Sequence, residues 1–282
     1  MTETVTRVAE DGARIPGANR LWVGGFYNPH LARETLEAGE LFDHLAMADP
    51  PSGDDPYFER VRERFVLLLH DYLGQLSEPY DEHAIRRSRY LAELYDSPWV
   101  AEHFQCLHTV DGAFNLNYVF PPLYTEEFLT RFIANAAMLR ERLERPLVME
   151  NIPGFFDVPA STIPEPEFLT RFFDATGCGF LLDLPHIWIE AGIQRADPYG
   201  FLETFPLDRV VEIHSGGVED DEDLKGPWIA PVRPSREMLD FTKYAAERCP
   251  KLRAVTFDAF SPGLTADVML DAVTQLRERL LA

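Results

Sequence analysis

Short apolar runs alternate along the chain with longer segments in which apolar residues recur every three to four positions. The runs are 21–26 (LWVGGF), 44–48 (HLAMA), 65–70 (FVLLLH), 104–110 (FQCLHTV), 146–151 (PLVMEN), 179–183 (GFLLD), 210–214 (VVEIH) and 252–258 (LRAVTFD). Each is short and nearly continuous in apolar residues, the signature of a parallel strand covered on both faces. Between them, residues 125–143 open with a threonine cap and an acidic first turn, and residues 165–177 end in a glycine suited to a left-handed cap, so both read as helices. Eight strands alternating with helices predict a closed α/β architecture, the (β/α)8 TIM barrel. An open doubly wound sheet would call for a glycine-rich phosphate loop after the first strand, and the chain has none there.

Composition narrows this picture. A chain of 282 residues accommodates one barrel of roughly 250 residues. The expected division is a polar leader over residues 1–20 and a single barrel domain over 21–282. The formal net charge of -21, with no basic run to offset it, argues against nucleic acid as a partner. Cys106, Cys178 and Cys249 are widely spaced and form no C-x-x-C pattern, as expected of ordinary cysteines in a reducing compartment. The chain lacks a signal-like start and any apolar stretch approaching about 20 residues, so the expectation is a cytoplasmic protein with no membrane partner. The acidic run 219–223 (EDDED) reads as a solvated loop after the seventh strand.

Barrels of this kind build their sites at the carboxyl ends of the strands. Reading each run to its end gives His70, then His103 or His108, Glu150 with Asn151, Asp183 with His186, Glu212 with His214, and Asp258. A lone strand-end histidine is usually a hydrogen-bonded rim residue, and a lone buried glutamate pairs with arginine about as often as not. His30, His44 and His83, at strand starts or in helices, fall under that plain reading. Several imidazoles and carboxylates on one rim without cationic partners are different, because such a rim needs positive charge and a metal ion supplies it. Nitrogen and oxygen donors without thiolates suit iron, manganese or zinc.

At these residues the chain resembles the multinuclear iron-dependent oxidative enzymes, a family that includes the catalytic subunit making the oxazolone-thioamide groups of methanobactin. The resemblance runs from about residue 21 to 262. It is carried by FVLLLHDYLGQLS, SPWVAEHFQ, RPLVMENIPGFF, GCGFLLDLPHIWI and VVEIHSGG. It implies a barrel like that of xylose isomerase and a site holding two or three irons. The implied ligands are His70, His103, Glu150, Asp183, His186 and His214, with Asn151 and Glu212 as ligands or supports and Asp258 as the nearest carboxylate on the last strand. Glu150, Asp183 and His214 would be the catalytic centre of that set. Two departures stand out. Lys225 and Pro227 occupy the positions of an expected aspartate-x-histidine pair, and Thr256 occupies that of an expected glutamate. The expectation is therefore two irons, with one or three as alternatives, and Lys225 standing in for a lost positive charge.

The implied reaction is oxidation by dioxygen of a cysteine-containing substrate, commonly a ribosomally made peptide presented by a partner protein. Rim groups including Trp188, Trp228 and Tyr124 would hold the substrate or pack over the barrel mouth, packing being the plainer reading. The same superfamily includes endonuclease IV and xylose isomerase, which keeps a zinc- or manganese-dependent hydrolase, phosphoesterase or isomerase as the alternative. A barrel that binds without catalysis is the third reading.

Overall fold

The computed structural model describes residues 7–8, 14–15, 20–48, 53, 55–78, 80–108, 115–154, 159–221, 226–259, 261 and 263–281. Eight parallel strands close into a barrel: β1 (Trp22–Phe26), β2 (His44–Met47), β3 (Val66–His70), β4 (Val100–His103), β5 (Leu147–Glu150), β6 (Gly179–Asp183), β7 (Val210–Ser215) and β8 (Ala254–Phe257). Each pairs with its neighbours in chain order, and β8 returns to β1. The described residues also hold nine α-helices: α1 (Ala32–Ala38), α2 (Phe58–Arg64), α3 (Glu82–Tyr95), α4 (Glu126–Leu143), α5 (Glu165–Thr176), α6 (Leu184–Gln194), α7 (Pro198–Leu202), α8 (Arg236–Ala246) and α9 (Ala266–Leu281).

Local chemistry accounts for the long helices. In α4 the Thr125 side chain accepts from the Phe128 N–H, and Leu129, Phe132, Ala136, Leu139 and Leu143 form one buried stripe. Helix α5 stops at Gly177, whose φ of 64° is the left-handed conformation glycine adopts most readily. The stripes of α4 and α5 meet the outer face of the barrel in a cluster of aromatic rings that includes Phe104, Phe132, Phe168, Phe172 and Phe173. Each such ring, fully buried, contributes about 1.5–3 kcal/mol.

Inside the barrel a second, smaller core forms. Trp22, Leu68, Ala101, Val148, Leu181 and Ala254, from six strands, pack together with Trp99, and Trp22 stacks on Trp99 with ring centroids 6.1 Å apart. Strand side chains alternate faces. The residues two places further along therefore also point inward, one layer higher: Gly24, His70, His103, Glu150, Asp183 and Thr256. An apolar plug below thus fixes which polar residues line the mouth.

Two expectations change. The fourth strand is Val100–His103, not residues 104–110; Cys106–His108 instead pairs antiparallel with Asn115–Phe120 in a hairpin on the rim. Apolar density favours FQCL over VAEH, but Glu102 is accommodated by backbone donors, its carboxylate accepting from the N–H groups of Leu73, Gly74 and His103. Within the acidic run, residues 219–221 are not loop but part of a strand, Gly217–Asp221, paired with Gly226–Ala230. Among the described residues, no helix is long and apolar enough to cross a membrane.

Candidate metal centre

The stretch FLLDLPHI shows how the site is assembled. Asp183 ends β6 and is at once the N-cap of α6, its Oδ1 accepting the His186 N–H at 2.7 Å. The Asp-x-x-His spacing is the capping distance, and Pro185 falls in the first turn, where a missing N–H costs nothing. Asn151 clamps this corner. Its Oδ1 accepts from the Asp183 N–H at 2.9 Å and its Nδ2 donates to the Asp183 carbonyl at 3.2 Å. The Asn151 carbonyl accepts from His186 Nδ1 at 2.7 Å, so that ring's free lone pair is on Nε2. Both the oxygen and the nitrogen of the Asn151 side-chain amide are thus hydrogen-bonded to the Asp183 backbone.

Glu150 lies at the centre, 1% exposed. Its Oε2 is 3.2 Å from His70 Nε2 and 3.3 Å from His103 Nε2. Its Oε1 is 3.5 Å from His214 Nδ1 and 3.9 Å from His186 Nδ1. His214 Nδ1 also lies 3.7 Å from Asp183 Oδ2 and 3.8 Å from Asp258 Oδ2. Two groups have donor atoms within 4.8 Å of one another: His70, His103 and Glu150, and Glu150, Asp183 and His214. Glu150 belongs to both.

Burial and the neighbouring charges set the electrostatics of these groups. Burial pushes the Glu150 and Asp183 carboxyls above their ordinary range. Burial lowers His103 to about 3 and His186 to about 4, and takes His70 well below the usual histidine value. His214 is the exception. Burial opposes its charge, but Glu150, Glu212 and Asp258 outweigh burial and raise it well above that value. Among the described residues, buried Glu150 Oε2, Asp183 Oδ2, both ring nitrogens of His214 and the Nδ1 atoms of His70 and His103 find no hydrogen-bond partner. Neutral imidazoles and orphaned carboxylate oxygens aimed at common points fit a metal ion.

The remaining expected residues fall around this core. Glu212 sits on the barrel side of His214 and accepts hydrogen bonds from Thr256 and Trp99. Asp258 stands at the mouth with its side chain 17% exposed. Thr256, in place of the expected glutamate, is fully buried and donates to Glu212. Pro227 lies opposite Asp220 in the rim hairpin, and Lys225 lies outside the described residues. His108 is on the other rim hairpin, 3.9 Å from Glu78. Trp188 packs on Phe241 and Tyr124 donates to Glu165, so both serve packing.

Two neighbours go unmarked in the sequence, and a third, His44, reads there as a plain hydrogen-bonded histidine. Phe26 sets its ring edge-on to both His70 and His214, centroids 5.5 Å away in each case. Tyr72, 42% exposed, stacks on His103 at 4.9 Å. His44, at the start of β2, points into the barrel and is fully buried. Period-two alternation from Trp22 and from His70 was the available signal for the first two; nothing in the residues around His44 marks its ring.

Residues 46–232 match the model of the family described as RiPP precursor modification enzyme MbnB/TglH/ChrH. A UPF0276 protein of Caulobacter vibrioides is 34% identical over 168 residues, which are 59% of this chain and 59% of that protein. UPF0276 protein RB0508 of Rhizobium meliloti is 27% identical over 210 residues, 74% of this chain and 63% of the relative. The chain thus matches about three fifths of the length of these curated relatives. Among solved structures, D-allulose 3-epimerase from Methylomonas sp. superposes with a TM-score of 0.60 at 14% identity, covering 93% of this chain and 98% of that one. A xylose isomerase domain-containing protein from Salmonella typhimurium gives 0.59 at 13%, covering 90% and 92%. At such identities the likeness is one of fold, the xylose isomerase-like barrel.

Proposed function

The chain belongs to the RiPP precursor modification enzyme family MbnB/TglH/ChrH, and from that premise we propose that it modifies a peptide by iron-dependent oxidation of a cysteine, at a centre whose two donor sets, with Glu150 in both, would hold two metals. RiPPs are ribosomally made, post-translationally modified peptides, so membership itself points to a peptide substrate. The observation that carries the dinuclear reading is the division of the Glu150 carboxylate, with Oε2 turned to His70 and His103 and Oε1 to His214. One carboxylate facing two sets of donors is the arrangement of a bridging ligand.

His70, His103 and Glu150 would hold one ion; Glu150, Asp183 and His214 would hold the other, with His186 Nε2 and Asp258 on its open side. Iron held by these residues would supply a binding position for dioxygen and a route for electrons from the substrate cysteine to the dioxygen, which is the oxidant. The chain's own residues supply the rest. Asn151 and the α6 cap keep Asp183 and His186 in place. Phe26 walls the centre and Tyr72 covers His103 on the open side, which limits water and leaves an aromatic surface for the incoming peptide. Asp258, raised by burial against the neighbouring carboxylates, is placed to hold a proton beside His214.

The test is dioxygen uptake by the iron(II)-loaded protein given a pool of cysteine-containing peptides, against the same pool with serine at each cysteine. Uptake only with the cysteine pool is expected. No uptake by iron-loaded protein, with peptide or phosphoester hydrolysis by the zinc-loaded form instead, would overturn the oxidative reading.

A further inference from the structure

A chain of buried polar groups links Glu212, level with Leu181 and Ala254 of the apolar plug, to Thr256 and His214 in the metal-facing layer. His44 Nε2 lies 2.9 Å from Thr256 Oγ1, and Thr256 Oγ1 donates to Glu212 Oε1 at 2.7 Å. A threonine hydroxyl has a single hydrogen. With that hydrogen on Glu212, the Thr256 oxygen must accept from His44, so His44 carries its proton on Nε2 and the chain has one direction. On the other side Trp99 Nε1 donates to Glu212 Oε2 at 3.0 Å. Each oxygen of Glu212 is thereby held, from β8 on one side and from the residue preceding β4 on the other. Glu212 Oε1 faces His214 Nε2 at 3.6 Å, while His214 Nδ1 faces Glu150, Asp183 and Asp258.

The backbone makes room for this chain. A Cβ on Gly24 would meet the His44 carbonyl oxygen at 2.1 Å and His44 Nδ1 at 2.9 Å, so the imidazole sits where only a glycine on β1 leaves space. His44, Glu212 and Thr256 are all 1% exposed or less. Polar groups this deep are costly, and Glu212 sits level with the apolar Leu181 and Ala254, so packing alone does not call for them.

We propose that His44, Thr256 and Trp99 are positioning residues that fix the Glu212 carboxylate, and that Glu212 in turn holds His214 with its Nδ1 toward Glu150 and Asp183. The affinity of that half of the centre for a divalent metal is then set from inside the barrel, through groups that touch neither metal nor substrate. Removing such supports from a metal-binding histidine typically weakens binding about 10–100-fold. The inference rests on the metal-centre reading above.

The experiment is a cobalt(II) titration of the metal-free protein followed by d–d absorption, for wild type, Thr256→Val, Thr256→Ser and Trp99→Phe, with histidine 15N NMR of each metal-free form. Thr256→Val keeps the shape and removes the donor; Trp99→Phe keeps the stack on Trp22 and removes the other donor. Each is expected to weaken one of two cobalt sites at least about tenfold and to shift the His214 ring nitrogens, with Thr256→Ser restoring both. Should Thr256→Val fail to fold, Trp99→Phe carries the test. If the folded variants bind both cobalt ions with wild-type affinity and unshifted His214 signals, the positioning role is wrong while the metal centre stands. A wild-type protein that binds no cobalt overturns the metal-centre reading and this inference with it.

Discussion

Asp183 carries two tasks on one side chain, and they separate by substitution. Its Oδ1 caps α6 through the His186 N–H, whereas its Oδ2 is buried without a hydrogen bond and faces His214. Asp183→Ala removes both, so the metal-free variant is expected to lose about 1 kcal/mol in chemical denaturation as well as one metal. Asp183→Asn keeps a good cap and removes the charge; it should match wild-type stability without metal yet still bind one ion fewer. Equal stability losses in the two variants would contradict the capping role. His44 yields a pH prediction. Burial lowers its imidazole from 6.5 to about 4. A histidine depressed in the folded state contributes stability that is complete above pH 6.5 and is lost as pH falls toward 4. Between pH 7 and pH 5 its share of the loss is on the order of 2 kcal/mol. Metal-free His44→Gln should therefore lose that much less over this interval than metal-free wild type, and identical pH slopes would contradict it.

At the level of elements, the β1–β2 seam depends on Gly24 as much as on its hydrogen bonds. Gly24→Ala drives a Cβ into the His44 carbonyl, which belongs to backbone and cannot swing aside. Overpacking of this kind costs about 1–3 kcal/mol, so the variant's thermal midpoint should fall by several degrees, and an unchanged midpoint would mean that β2 sits elsewhere. The elements also explain what the sequence could convey. Seven of the eight barrel strands were legible because a parallel strand packed on both faces is a continuous apolar run, as in VLLLH and GFLLD. β4 was not, because Glu102 interrupts VAEH and only tertiary contacts with the backbone of residues 73–74 and 103 make it tolerable there. His70, Glu150 and Asp183 were legible for the same reason as their strands, since each terminates an apolar run, whereas His103 ends the unrecognised β4 and stays open against His108 in the sequence. Their division between the two oxygens of Glu150 was not, since it follows from strand register and barrel closure. Nor was the inward turn of His44, which depends on a glycine twenty residues earlier.

For the whole molecule, closure of the sheet is what turns scattered strand ends into a site. Donors from β3, β4, β5, β6 and β7 meet only because the barrel brings β7 and β3 to the same side of Phe26, whose ring lies 5.5 Å from both His70 and His214. The dinuclear centre and its bridge at Glu150 are therefore the claim on which the functional account depends. Iron content by plasma mass spectrometry, with Mössbauer spectroscopy on the same anaerobically loaded sample, tests it most directly for wild type and Glu150→Ala. The account predicts about two irons per chain with a magnetically coupled spectrum after oxidation, and loss of both irons in Glu150→Ala. A single uncoupled iron in wild type, or Glu150→Ala retaining its full iron content, would contradict it.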